Sequence, residues 1–198
     1  MRQLVPVRTV PPGVDLLEIS DARKQCNLDH TEHDEHLKAL VASVTGALEA
    51  PAGILRICLN KQTWRDAWSA FPSTCRIRLS VEPLISVSAV EYIAAGATSW
   101  TAFSSDYWAA YTDAEGGWVE LLDDATWPDT AKRPEAVRVT YVAGHNRPAD
   151  IPQAVLHAAR LMVAHYYENR EASVIGVPAQ DLPLGVRNLV GPFLRVPT

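Results

Sequence analysis

The spacing of apolar residues changes twice along this chain, and that change limits its fold more than any other feature. Leu37, Leu40, Val41, Val44 and Leu48 recur at three- and four-residue steps, which places them on one face of a helix. Further on, Cys75, Ile77 and Leu79 interleave with Arg76 and Arg78, and Val137, Val139 and Tyr141 interleave with Arg138 and Thr140, the two-residue period of half-buried strands. Helical spacing then returns in Val155, Ala158, Ala159, Met162, Val163 and Tyr166. A chain ordered helix, strand, helix is expected to be α+β. Residues 19–53 and 150–194 should bury their apolar faces on each other as one helical core, and 54–144 should form an inserted antiparallel β lobe, a sandwich or small barrel. The whole, 1–198, is expected to be a single domain.

Local signals set the expected element ends. Ser20 is placed to cap a short helix from Asp21 to about Asn27, and Asp29 with Glu32 three residues on reads as the cap of the longer helix that Pro51 and Gly53 end. Breaks at Phe71-Pro72, Ala95-Gly96, Gly116-Gly117 and Trp127-Pro128 divide the middle into short strands. Asp150 should cap the third helix, with Pro152 in its first turn and Gln153 behind it. A last short helix is expected from Pro183 to Val190.

Charge and cysteine usage exclude several classes. A net charge of −5 and a pI near 5.6 argue against a surface that grips nucleic acid, which needs clustered Lys and Arg to release counterions. Cys26, Cys58 and Cys75 are odd in number and widely spaced, neither a disulfide framework nor a zinc site. Pro6, Pro11, Pro12 and Gly13 interrupt the opening stretch, so it does not read as a signal peptide. No run elsewhere is long enough to span a bilayer, and the chain is expected to be soluble and made in a reducing cytoplasm.

No catalytic constellation emerges. His30, His33 and His36 lie among Asp29, Glu32, Asp34 and Glu35, but steps of three rotate about 60° each on a helix, so the first and third diverge by about 120°. The plain reading is a solvated first turn whose acids complement the helix dipole, with no metal and no cofactor. His145, His157 and His165 have no serine or cysteine at a recognisable spacing, and no nucleotide-binding glycine motif occurs, which leaves a hydrolase with an unrecognised site as a distant alternative. Trp64, Trp68, Trp100, Trp108, Trp118 and Trp127 all fall in the strand region. They suit a core or an interface, and the alternative function is a tryptophan-rich carbohydrate-binding module.

Several segments in order resemble a known family: Ile19 to Leu28, Gln62-Thr63-Trp64, Leu79 with Pro83-Leu84 and Ser86-Val87, and Val139-Thr140-Tyr141 before Ala143-Gly144. Ile151-Pro152, the run Ala164-His165-Tyr166-Tyr167-Glu168-Asn169-Arg170-Glu171-Ala172, and Leu182-Pro183-Leu184-Gly185-Val186 continue the pattern. Over residues 19 to 194 the chain resembles the head-tail connector, or adaptor, family of long-tailed phages, prophages and phage-derived gene transfer agents. The resemblance implies a structural protein and not an enzyme, located in the neck of the particle. It also implies a homo-oligomeric ring of about twelve copies, a dodecamer, between the portal protein and a tail-side stopper, with DNA passing through the lumen unbound and no membrane contact. One departure is that residues 51 to 62 lack the short Thr-Gly turn associated with the end of the second helix.

The resemblance also implies a docking element for the portal at the C-terminal end. Leu182, Val186, Leu189 and Phe193 recur at four-, three- and four-residue steps, with Leu184 beside them, and a helix bounded by Pro183 and Gly191-Pro192 is too short to persist without packing on something. The competing expectation is that this helix folds back on its own domain.

Overall fold

The computed structural model describes residues 1–113, 116–169 and 184–194. The chain divides into two compact units, one of Met1–Gly13 with Lys61–Asn146 and the other of Val14–Asn60 with Arg147–Thr198. The first carries the strands and the second the helices. The class is α+β, and the strands form two antiparallel sheets, not a closed barrel.

In the sheet unit, β1 (Val7–Val10), β2 (Gln62–Trp68), β4 (Leu84–Tyr92), β5 (Thr101–Ala102) and β8 (Val137–Ala143) form a five-stranded sheet in the order β1-β2-β8-β4-β5. A three-stranded sheet in the order β3-β7-β6 is made by β3 (Arg76–Arg78), β6 (Trp108–Asp113) and β7 (Gly116–Leu121). The alternation in β8 has a direct consequence. Val137, Val139, Tyr141 and Ala143 are buried, while Arg138, Thr140 and Val142 are half-buried on the opposite face. On β2, Trp64 and Trp68 share the buried face with Gln62 and Asp66, which the sequence period alone does not reveal. Ile77 and Leu79 are buried as their alternation demands, whereas Cys75 is exposed just before β3.

Gly116 and Gly117 open β7 rather than forming a turn by themselves, and each is needed for a close approach. A Cβ on Gly117 would lie 2.6 Å from Leu84 Cβ. One on Gly116, whose φ is +130°, would lie 1.9 Å from Glu82 Oε1.

In the helical unit, α1 (Ile19–Gln25), α2 (Asp34–Leu48), α3 (Gln153–Glu168) and α4 (Leu184–Val190) share one apolar cluster. Leu37, Val41, Val44 and Leu48 from α2 and Val155, Ala158, Ala159, Met162 and Val163 from α3 are all buried in it. The two alanines leave room for close helix contact. Leu40 is only partly buried, at the margin of the cluster, and Tyr166 is 40% exposed and does not belong to it. Tyr166 lies four residues past Met162 near the end of α3, where it points outward while Tyr167 packs against the cluster.

Element ends depart from the expected caps. α1 starts at Ile19 on Glu18, and Ser20 Oγ donates to Glu18 Oε2 instead of capping. Asn27, with φ 55°, closes α1 in a Schellman arrangement: Leu28 N–H donates to Arg23 O at 2.9 Å, and Asn27 N–H to Lys24 O at 3.2 Å. α2 begins five residues beyond Asp29, at Asp34, with His33 at the cap, so Asp29 and Glu32 are not a capping pair. Asp150 ends a 3₁₀ turn, Pro148–Asp150, where it takes a two-pronged bond from Arg147; Pro152 is the cap of α3.

The change to alternation places the start of the β lobe at Ile54. Residues 54–60 belong instead to the helical unit, where Leu55, Ile57 and Leu59 are buried in the helix cluster. The segment is held by backbone bonds to the end of α2 and by Glu49, a buried carboxylate that accepts Leu59 N–H at 2.9 Å. Arg56, at φ 56°, turns the chain, and Ile57, Cys58, Leu59 and Asn60 are all buried, so the segment is an irregular link packed on the helices and not a strand. Conversely, residues 1–13, which carry no strand signal, join the sheet as β1.

Candidate assembly surfaces

The six tryptophans divide into core and surface. Trp64 and Trp68 are buried on β2. Trp127 stacks on Phe71 at 4.6 Å and 7°, and Phe103, Tyr92 and Tyr107 complete a contiguous aromatic ledge on the sheet unit. Trp108 is pinned to that ledge by an Nε1–H bond to Phe103 O, and Trp127 Nε1–H donates to Thr74 O at 2.8 Å. The Arg138 guanidinium lies 4.1 Å above the Trp100 ring, and Arg76 and Tyr111 cover Trp118. Each of these indoles thus already has a ring, cation or hydrogen-bond partner within the chain, which does not suit an open platform for sugar rings.

Beneath that surface two polar clamps fix the sheet. Asp66, buried on β2, accepts Ser80 N–H at 2.7 Å and the Tyr141 hydroxyl at 3.1 Å, and the same hydroxyl oxygen accepts Val81 N–H. Burial pushes its carboxyl above the ordinary range, opposed by the bonds from Ser80 and Tyr141. This joins β2, β8 and the chain entering β4. On the other clamp, Arg138 makes a two-pronged bond to Glu91, at 2.7 and 2.9 Å, which holds the Glu91 carboxyl below the ordinary range.

In the helical unit the histidine-rich turn is tied to α3. The His33 ring bonds to the Tyr167 hydroxyl from α3, and His36 and Tyr167 are in ring contact. Arg23 pairs with Asp34 at 3.1 Å and Arg160 with Asp21 at 3.4 Å, tying α1 to α2 and α3. Among the described residues no group of three His, Cys, Asp or Glu side chains is arranged to hold a metal ion. A groove of about 420 Å³ opens between Leu17, Glu18 and Asp21 on one side and Gln153, Leu156 and Arg160 on the other. Asp15 lies in its lining too, and Arg160 pairs there with Asp21.

The C-terminal stripe, expected to dock on the portal, packs largely within its own unit. Val186 and Val190 are buried in the helix cluster, and Leu189 and Phe193 pack partly against it. The apolar side of α4 therefore has its partner within its own unit and is not presented for docking as placed. Leu182 lies outside the described residues, and of Leu184 only the backbone, at the start of α4, is described.

No protein-family model matches the sequence, and no curated protein matches it. Solved structures do. A chain from the neck of an empty gene transfer agent particle, computed with C6 symmetry, superposes with a TM-score of 0.80 at 21% identity, over 98% of this chain and 97% of that one. The fold is that of a chain from a gene transfer agent neck. Two more structures agree. A chain from the virion of a native gene transfer agent particle gives 0.70 at 19% identity over 98% and 97%, and one from the neck of a native particle computed with C12 symmetry gives 0.67 at 19% over 96% and 97%. The likeness spans both units, so the order helix, sheet, helix is shared as a whole.

Among the described residues no helix is long and apolar enough to cross a membrane.

Proposed function

We propose that this chain is a structural head-tail connector of a phage or gene-transfer-agent-like particle, located in its neck and without enzymatic activity. The observation that carries the reading is the end-to-end fold match, 98% of this chain against 97% of a neck chain at a TM-score of 0.80. In this reading copies of the chain close a ring of about twelve subunits. One face of the ring meets the portal protein and the other a tail-side stopper. DNA passes through the lumen without being held. An acidic chain supports this, because a basic lining would retain phosphates through counterion release. No cofactor or metal is required. Portal engagement near the C-terminal end would have to use the solvent side of α4, since Val186 and Val190 are core.

The reading is tested by deleting the gene in a host that produces the particles and imaging the products. Filled heads without tails, restored to tailed particles by a plasmid copy, are expected. Normal tailed particles from the deletion strain would contradict the reading.

A further inference from the structure

The N-terminal strand is the least protected apolar part of the sheet unit. Val5, Val7 and Val10 are 77%, 49% and 54% exposed, and all four residues of β1 are exposed. It is nevertheless held in place: Leu4 N–H donates to Ala67 O, Ser69 N–H to Arg2 O, and β1 pairs with β2 along one edge. Its other edge is unpaired in the sheet order. Natural sheets protect such edges, because they template pairing with another chain. Here Pro6 and Pro11, which lack an N–H, and a register shift between Arg8 and Val10 limit the open edge to a short stretch. A stretch so bounded suits one short, specific partner strand rather than open-ended aggregation.

Charge indicates the partner. Residues 1–13 contain Arg2 and Arg8 and no acid, so they carry +2, and the remaining residues carry −7. A second unpaired edge of the same unit is β6, the outer strand of the three-stranded sheet, whose residues Ala110 to Asp113 are exposed and include Tyr111 at 44%. Carboxylates flank it in sequence at Asp106 and Asp113, and Leu122 N–H bonds to Tyr107 O, which places the turn of Asp123 and Asp124 beside its start. An apolar, cationic edge and an apolar, anionic edge on one unit are complementary but not identical. Copies joined in this way associate head to tail, the kind of contact that closes into rings.

We infer that β1 of one copy docks by strand addition on β6 of the next copy. This names the subunit contact within the ring reading above and rests on that reading. In this contact Val7 and Val10 leave water against Tyr111, and Arg8 approaches the carboxylates around β6.

The test is sedimentation of the full chain from about 10 μM to about 1 mM at low and high salt. It is run beside Val7→Asp/Val10→Asp and, separately, Ala110→Asp/Thr112→Asp, all of which substitute exposed positions. Wild type is expected to associate with concentration, more weakly at high salt. Each double variant should associate at least tenfold less while melting within a few degrees of wild type. In a Cys75→Ser background, mixing Thr9→Cys protein with Thr112→Cys protein should give a disulfide-linked dimer that neither forms alone. Wild type that stays monomeric at about 1 mM, or association that ignores both variants, overturns the contact. So does a mixture that yields no mixed dimer. The deletion phenotype above is unaffected by these outcomes, so the ring contact and the neck assignment fail separately.

Discussion

Asp66 carries a cost and a constraint at once. Its carboxylate is buried, and burial raises its folded value above the ordinary 3.8, while Ser80 and Tyr141 hold it in place. Because the folded value is raised, this group's contribution to stability is complete below the unfolded value and is lost as pH rises through the folded one. Asp66→Asn removes the titration. The stability difference, wild type minus variant, should therefore fall as pH rises from about 3 to about 7, as read by urea unfolding, and a difference that rises with pH would contradict the assignment. Arg138 acts on the same sheet by different means. Arg138→Lys keeps the charge but loses the two-pronged grip on Glu91 and the stack on Trp100, and should cost about 1 kcal/mol.

At the scale of elements, the shared face of α2 and α3 is the main store of stability in the helical unit. Leu37→Ala and Met162→Ala, both at buried positions, should each cost about 2 to 5 kcal/mol, whereas Tyr166→Ala at an exposed position should stay within about 0.5 kcal/mol. For α4, Val186→Ala should cost about 2 kcal/mol by denaturant unfolding, because the side chain is fully enclosed; a neutral result would return the stripe to a docking role. These elements also show what the sequence could and could not disclose. Periods of 3.6 and 2 are readable wherever a whole face is buried, as in α2, α3 and β8. The segment 54–60 reads as the start of the strand region because it is short and apolar, and apolarity reports burial, not sheet pairing. β1 is silent in the sequence because an edge strand exposed on both faces has no apolar period. The fold-back of α4 stays open at that level because an apolar stripe requires a partner without saying which. Caps at Ser20, Asp29 and Asp150 mislead because each side chain finds a nearer local partner or lies beyond the helix start.

At the scale of the molecule, the surfaces outweigh any pocket. The rings of the aromatic ledge stack on one another, the histidine turn is tied to Tyr167, and the groove beside Arg160 is lined by Asp15, Glu18 and Asp21 with no histidine, serine or cysteine among its lining residues. There remain the open sheet edges, of which β1 and β6 differ in charge, and a net charge of −5. Purified protein should show no salt-sensitive binding to duplex DNA at physiological ionic strength; a micromolar affinity with a steep salt slope would contradict an unretentive lumen. Whether the chain is a neck connector is decided by electron cryomicroscopy of particles from a producing host. A ring of about twelve copies between portal and tail is expected, into whose density the sheet unit and the helical unit of this chain both fit. A neck filled by other chains, with this one absent or located elsewhere in the particle, would contradict it.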